Sequence, residues 1–323
     1  GGISDHLPLL LRQDYPAGFE LIVVVLQGDN ETEDMLKRFA GHSQIYTTYI
    51  PSTSRYMSRK KLAITLGMKA AKNEWVVLTD IECRPTSDRW LHTMAQQCGD
   101  HCDMVIGYTA YDEATSSYRR FERLHTDMYL MREDCKGTPY RHNGCNLLLR
   151  KSMFIRGDGF RGNLNYLRGE YDFIVNKYAT DSNTVLALHP DSWLTEQEPT
   201  DKAWQNKHLF YMETRQHLRR SFRHRWLYNT DQWAQHLNYL LIVAAITYSI
   251  PTQQWLITAT AAVSLLLTII LRTVIARKAL LLFNEHVSTW KIIPFEISIL
   301  WHHASYMLRH HRANKYNFIS HKI

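Results

Sequence analysis

Short apolar runs alternate with amphipathic stretches from residue 5 to about residue 110, a pattern that predicts an open α/β sheet flanked by helices. Residues 19–26 form a continuous apolar run suited to a strand covered on both faces, and 45–50, 74–79 and 104–108 predict three more strands. Helices are expected from Thr32 through Phe39, from a Ser58 cap through Lys72, and from Ser87 onward. Ligands of such sheets bind at the carboxyl ends of strands, which puts Asp29 and the stretch from Asp80 to Glu82 where a site should lie. Beyond residue 111 the periodicity loosens into an Arg-rich helix near 119–132, a Gly-rich stretch at 157–169 and an acidic cluster at 170–172.

From residue 235 the pattern implies a second solvent. Two apolar segments, 235–250 and 255–275, flank the uncharged turn Pro251, Thr252, Gln253, Gln254, and residues 237–275 hold one charge, Arg272. Their lengths predict a transmembrane helical hairpin, with Trp233, Tyr239 and Trp255 near the interfaces. A buried soluble hairpin is the alternative. Residues 292–308 are apolar but include Glu296, His302 and His303, which favours an interfacial amphipathic helix over a third span. The chain thus divides into a globular domain at 1–210, a basic juxtamembrane linker at 211–232, a hairpin at 233–276 and a basic interfacial tail at 277–323.

Composition refines this picture. The 323 residues suffice for one large or two ordinary domains, and 45% hydrophobic with 21% charged residues excludes a disordered chain. The mean hydropathy of -0.34 averages over both solvents. The net charge of +7 is placed unevenly: residues 204–226 carry six basic and one acidic side chain, and 272–323 carry eight and two. The excess positive charge therefore flanks the apolar stretch, as attraction to anionic lipid head groups and cytoplasmic orientation require. Nucleic acid is not an expected partner, since no finger, RNP-like or basic heptad motif accompanies the charge. Five cysteines without CxxC spacing read as reduced thiols. The start at Gly1 Gly2 without Met reads as truncation.

The strongest local signal is Val76 Val77 Leu78 Thr79 Asp80 Ile81 Glu82 Cys83 Arg84 Pro85. A β run leads into two carboxylates spaced i, i+2 on a loop, so both can converge on one divalent cation and leave other positions to phosphate oxygens and water. Upstream, Ser58 Arg59 Lys60 Lys61 places cations and free backbone N–H groups at a helix start, a place for an anionic phosphate. The bland reading of each is a solvated loop.

With these motifs the chain resembles the inverting family 2 glycosyltransferases of GT-A fold, particularly the membrane-anchored bacterial members, over most of residues 5–210. The resemblance rests on the two-lysine helix start, on Thr79 to Pro85 followed by Trp90 and Leu91, on Gly144 Cys145 Asn146 Leu147 with Arg150 and Phe154, and on Gly169 to Asn176 followed by Ala179 Thr180 and Asn183 Thr184. It implies a GT-A-like open, mostly parallel sheet flanked by helices, then a transmembrane hairpin and an interfacial helix. The implied activity is transfer of a sugar from a nucleotide-diphosphate sugar, with Mg²⁺ or Mn²⁺, to a lipid-linked or cell-surface glycan acceptor, with inversion. The implied location is the cytoplasmic face of a bacterial inner membrane, with membrane lipid as a partner.

Carried over by position, Asp80 and Glu82 resemble the family's metal-binding acid pair, with Glu82 where aspartate is more usual. Lys60 and Lys61 resemble residues bordering the nucleotide, with Asp29 and Asn146 as further donor-binding positions. His142, Asn143 and Gly144 fall at the turn facing donor sugar and acceptor, and Trp204 with Lys207 resembles the Trp element beside the pocket. In the cluster Gly169 Glu170 Tyr171 Asp172, Tyr171 occupies the place expected of the general base, leaving Asp172 as first choice and Glu170 as second. The family's first strand has no counterpart here. The alternatives are a non-catalytic subunit that keeps the fold, and a nucleotidyltransferase on a similar sheet.

Overall fold

The computed structural model describes residues 2–52 and 58–319; Gly1 and the end of the basic tail lie outside them. Helix α1 (Gly2–Leu11) leads into β1 (Leu21–Leu26), α2 (Asn30–Lys37), β2 (Ile45–Ile50), α3 (Arg59–Ala70), β3 (Trp75–Leu78) and β4 (Cys83–Pro85). There follow α4 (Trp90–Ala95), β5 (Met104–Gly107), β6 (Thr109–Tyr111), α5 (Ser117–Asp134), β7 (Leu147–Arg150), α6 (Lys151–Arg156), α7 (Glu170–Tyr178), β8 (Thr184–Ala187) and β9 (Leu194–Glu196). Four helices close the chain: α8 (Asp201–Thr214), α9 (Ser221–Ser249), α10 (Trp255–Leu282) and α11 (Ile292–Arg312).

The expected strands form, but the sheet is mixed rather than mostly parallel. In the central sheet, ordered β3-β7-β5-β8, β7 runs antiparallel to both neighbours and only β8 is parallel to β5. β1 and β2 make a separate parallel pair, and β9 joins β4 antiparallel and β6 parallel in a third sheet. An apolar run covered on both faces has the same composition whichever way it points, so strand direction was not legible from periodicity.

The core lies where those runs meet. Met104, Val105, Leu147 and Leu149 are fully buried between the helices and pack with Trp90, Phe154, Phe173 and Ile174. Each such side chain contributes about 2 kcal/mol by leaving water. Register places Leu78, the last residue of β3, opposite Leu147, the first of β7. The loop carrying Asp80 therefore leaves the sheet beside the turn that carries Gly144 and Cys145. Gly107, at the end of β5, leaves room for the Asn146 side chain beside this turn, since a Cβ there would sit 2.3 Å from Asn146 Nδ2.

The segment 211–232 holds the end of α8 and the start of α9, which continues unbroken into the apolar stretch. α9 and α10 lie side by side, joined by Asn238 Nδ2 to Thr268 Oγ1 at 3.0 Å and by Ser249 with Thr258 at 2.7 Å. Their outer faces expose large apolar side chains, including Leu240, Leu256 and Ile275. Among the described residues α10 alone is long and apolar enough to cross a membrane. α11 is anchored to the globular part: Ile292 and Ile299 share a core with Phe121 and Leu124 of α5 and Leu280 of α10. Glu296 of α11 accepts from Arg272 Nε at 2.7 Å and Gln235 Nε2 at 3.2 Å, pairing the hairpin's single charge.

Candidate active site

A cavity of about 760 Å³ opens where the carboxyl end of β3, the third sheet and the start of α7 converge, and Asp80, Glu82, Glu170 and Asp172 all line it. Three local features aim these carboxylates. The third sheet pairs Cys83 and Tyr111 with Glu196, and Gln197 N donates to Glu82 O at 2.9 Å, which fixes the acidic loop against β9. Gly169 takes φ +92° at the cap of α7, with space for a Cβ closed by Thr214 Cγ2 at 2.6 Å. Glu170 and Asp172 then fall in the first helical turn, where the helix dipole favours negative charge.

Asp80 already has two partners. Lys60 Nζ lies 2.5 Å from Oδ2, and Tyr171 donates its hydroxyl to Oδ1 at 2.7 Å. Burial opposes the charge on Lys60, but Asp80 and Glu170 outweigh it and hold the ammonium protonated. Burial, followed by the charge of Asp80, pushes the Tyr171 phenol well above its ordinary value, so this tyrosine keeps its proton and acts as a donor. Burial also raises the carboxyl of Asp172, with Arg141 pulling it partly back. Arg141 Nη1 stands 3.5 Å from Asp172 Oδ1, and that oxygen accepts no hydrogen bond among the described residues. Asp172 is thus a buried carboxylate that lines the cavity, paired with Arg141 and made more basic than an exposed aspartate by burial.

Cations line the same cavity. Arg123 is buried, ion-paired to Glu196 and stacked 4.3 Å over the Tyr111 ring. Burial pushes the Glu196 carboxyl up, but Arg123 and Lys207 overcome this and hold it at about 2. Lys207 Nζ donates to Tyr111 at 3.3 Å. His142 is buried in the lining of that cavity, and burial together with Arg123, Arg141 and Lys207 lowers it to about 3, which leaves it neutral. Trp204 lines the cavity with its ring 4.9 Å from the Arg119 guanidinium.

The other expected ligand residues lie elsewhere. Lys61 is fully buried and donates to the carbonyls of Asn163, at 2.6 Å, and Tyr166, so it ties α3 to the Gly-rich stretch and does not face the cavity. Asn146 is also fully buried, donating to Tyr108 O at 3.0 Å and Ser192 O at 2.7 Å while accepting from Trp90 Nε1 at 3.2 Å. It ties the residue before β7 to α4, to the link between β5 and β6 and to the turn before β9. Asp29 caps α2, accepting from Thr32 N at 3.2 Å and Thr32 Oγ1 at 2.8 Å, and it too lies off the cavity. Conversely, Arg123, Arg141 and Glu196 line the site without a local sequence signal, because each is one charge among many on a helix or at a strand end.

The acid pair offers hard oxygen donors suited to a divalent cation. Among the described residues no group of three His, Cys, Asp or Glu side chains converges, so Asp80 and Glu82 would supply part of a coordination shell that phosphate oxygens and water complete.

No protein-family model matches the chain, and no characterised relative matches it in sequence. Solved structures do. The mannosyltransferase PcManGT from Pyrobaculum calidifontis, in complex with GDP-Man and Mn²⁺, aligns over 93% of this chain and 84% of its own, with TM-score 0.54 and 17% identity. S. aureus TarS 1-349 in complex with UDP-GlcNAc aligns over 96% and 88%, with TM-score 0.45 and 12% identity. GalNAc-T7 with UDP, GalNAc and Mn²⁺ aligns over 64% and 44%, with TM-score 0.43 and 11% identity. The structural neighbours are nucleotide-sugar glycosyltransferases, and the likeness to PcManGT gives this chain the fold of one.

Proposed function

We propose that the protein is a metal-assisted, inverting glycosyltransferase of family 2 type that takes a nucleotide-diphosphate sugar as donor and a lipid-linked or cell-surface glycan as acceptor. The observation that carries this reading is the sharing of one cavity by the acid pair Asp80 and Glu82 and the buried, basic Asp172. Asp172 takes the proton of an acceptor hydroxyl as its oxygen forms a bond to the anomeric carbon. The bond from that carbon to the donor phosphate oxygen breaks, and its electron pair leaves with the nucleoside diphosphate. Lys60 and Lys207 present fixed positive charge toward the departing group. A divalent cation held by Asp80 and Glu82 would add charge neutralisation of the diphosphate. Tyr171 orients Asp80, and Trp204 and His142 shape the cavity wall.

The exposed apolar faces of α9 and α10, bordered by the basic segments, support membrane attachment with the catalytic part at the cytoplasmic surface. Isothermal titration of the full-length protein with UDP or GDP plus Mn²⁺ tests the donor site. Binding is expected in the wild type and lost in the Asp80→Ala, Glu82→Ala double variant, and unchanged binding would remove the metal assignment.

A second reading, a non-catalytic subunit that binds nucleotide, is favoured by one observation: both Asp80 oxygens are engaged by Lys60 and Tyr171. Equal, background-level donor hydrolysis and transfer by wild type and Asp172→Asn would support it.

A further inference from the structure

The same cavity extends away from the carboxylates to a second end between α5, α8, α9 and α11, lined by Arg215, Arg225, Tyr228 and His303. Arg215 is 6% exposed, and no carboxylate lies within ion-pair distance of it among the described residues. Its Nη1 meets His303 Nε2 at 3.1 Å, while its Nε has no partner. Arg225 faces the same space, also without an ion pair among the described residues.

The nearby acids are engaged elsewhere. On α5, Glu122 holds His208 at 3.0 Å and Glu133 holds His224 at 3.5 Å. On α8, Glu213 holds His310 at 2.9 Å and His217 at 3.4 Å, and Asp172 of α7 faces Arg141. Burial with Arg215 and Arg225 lowers His303 to about 4, so it adds no charge and can accept from Arg215.

A buried guanidinium with no counter-ion is costly, and its fork matches a phosphoryl group. This end also connects to both other parts of the reaction. Arg141 bridges from Asp172 to the Tyr211 ring, 4.0 Å from its guanidinium, and Tyr211 lies one helical turn before Arg215. In the other direction α9 carries on from Arg225 to a groove of about 390 Å³ between α9 and α10, lined by Leu241, Ile242, Ala245, Leu256 and Ala261.

We infer that Arg215 and Arg225 form an anion subsite for the phosphoryl linkage of a lipid-linked acceptor, whose hydrocarbon chain follows α9 and whose sugar end reaches Asp172. This rests on the transferase reading above. The test uses full-length protein in nanodiscs, with a polyprenyl phosphate, glycerol phosphate and inorganic phosphate as probes, and UDP or GDP plus Mn²⁺ as the donor-site control. Wild type is expected to bind the polyprenyl phosphate, and Arg215→Gln to weaken it by roughly thirtyfold or more, with nucleotide binding unchanged. Arg225→Gln, at a half-buried position, gives the same readout if the first variant does not fold. Equal competition by the soluble phosphates would overturn the lipid assignment while keeping the anion subsite. Unaltered lipid binding in both variants, no lipid binding in the wild type, or a matching loss of nucleotide binding would overturn the subsite itself. Loss of nucleotide binding in the Asp80, Glu82 double variant remains a separate result.

Discussion

Tyr171 donates to Asp80 across 2.7 Å, linking the first turn of α7 to the acidic loop after β3. The tyrosine occupies the place where a base is expected, yet its raised phenol makes it a donor to the acid pair. Its hydrogen bond competes with a cation for the same carboxylate oxygen. A hydrogen bond to a charged group contributes about 1.5 kcal/mol, equivalent to roughly tenfold in affinity. Tyr171→Phe should therefore tighten Mn²⁺ binding by up to about tenfold in the presence of UDP or GDP, read by electron paramagnetic resonance of free Mn²⁺. Weaker binding in the variant would mean that the phenol chiefly holds Asp80 in place.

Asp172 should behave as the base that its environment describes. Asp172→Asn removes the proton acceptor but keeps the shape, so turnover should fall by about 10² to 10⁴ while nucleotide affinity is retained. Glu170→Gln should be milder. In the wild type, kcat/KM should rise with pH as Asp172 deprotonates, with the acid limb above the ordinary aspartate range because burial raises this group. A larger loss of turnover in Glu170→Gln than in Asp172→Asn would transfer the role to Glu170.

Much of this site was legible in the sequence because its signals are local. The acid pair follows a strand within one heptapeptide, and the glycine before Glu170 is needed for a left-handed cap. The residues that complete the wall are not local: Arg123 reaches Glu196 across 73 positions, and Arg141 meets Asp172 from a separate loop. Three expected ligand residues turn away from the cavity for one reason. Lys61, Asn146 and Asp29 stand in motifs that face ligands by resemblance, but burial and backbone partners claim them here, and a sequence motif carries no information on which way a side chain turns. The same limit applies to the third sheet, whose strands of three residues are too short to show a period.

These structural assignments predict a clean separation of stability from binding. Asn146→Ala leaves Tyr108 O, Ser192 O and Trp90 Nε1 without their partner in a dry core, a loss of about 3 kcal/mol or more. Lys61→Met similarly abandons the carbonyls of Asn163 and Tyr166. Both variants should lower the thermal midpoint, with nucleotide affinity of the folded fraction unchanged within about twofold. A selective loss of affinity without destabilisation would restore either residue to the donor site.

His142 gives the fold a defined acid sensitivity. Its folded-state value of about 3 lies below the ordinary value of 6.5, so between these limits the unfolded chain binds a proton that the folded chain refuses. Stability from this group is complete above about pH 6.5 and is lost as pH falls, reaching about 2 kcal/mol by pH 5. His303 and His125, each lowered to about 4 chiefly by burial, act in the same direction. Asp172 and Asp127, raised by burial, act oppositely, since their unfolded forms release the proton first. Comparison with His142→Gln cancels those shared contributions. Melting curves at pH 7.5 and pH 5 should show a smaller acid-induced drop in the variant than in the wild type, by a few degrees. Equal drops would show that His142 is protonated in the folded protein, and hence that the cation-lined wall of the cavity admits another positive charge.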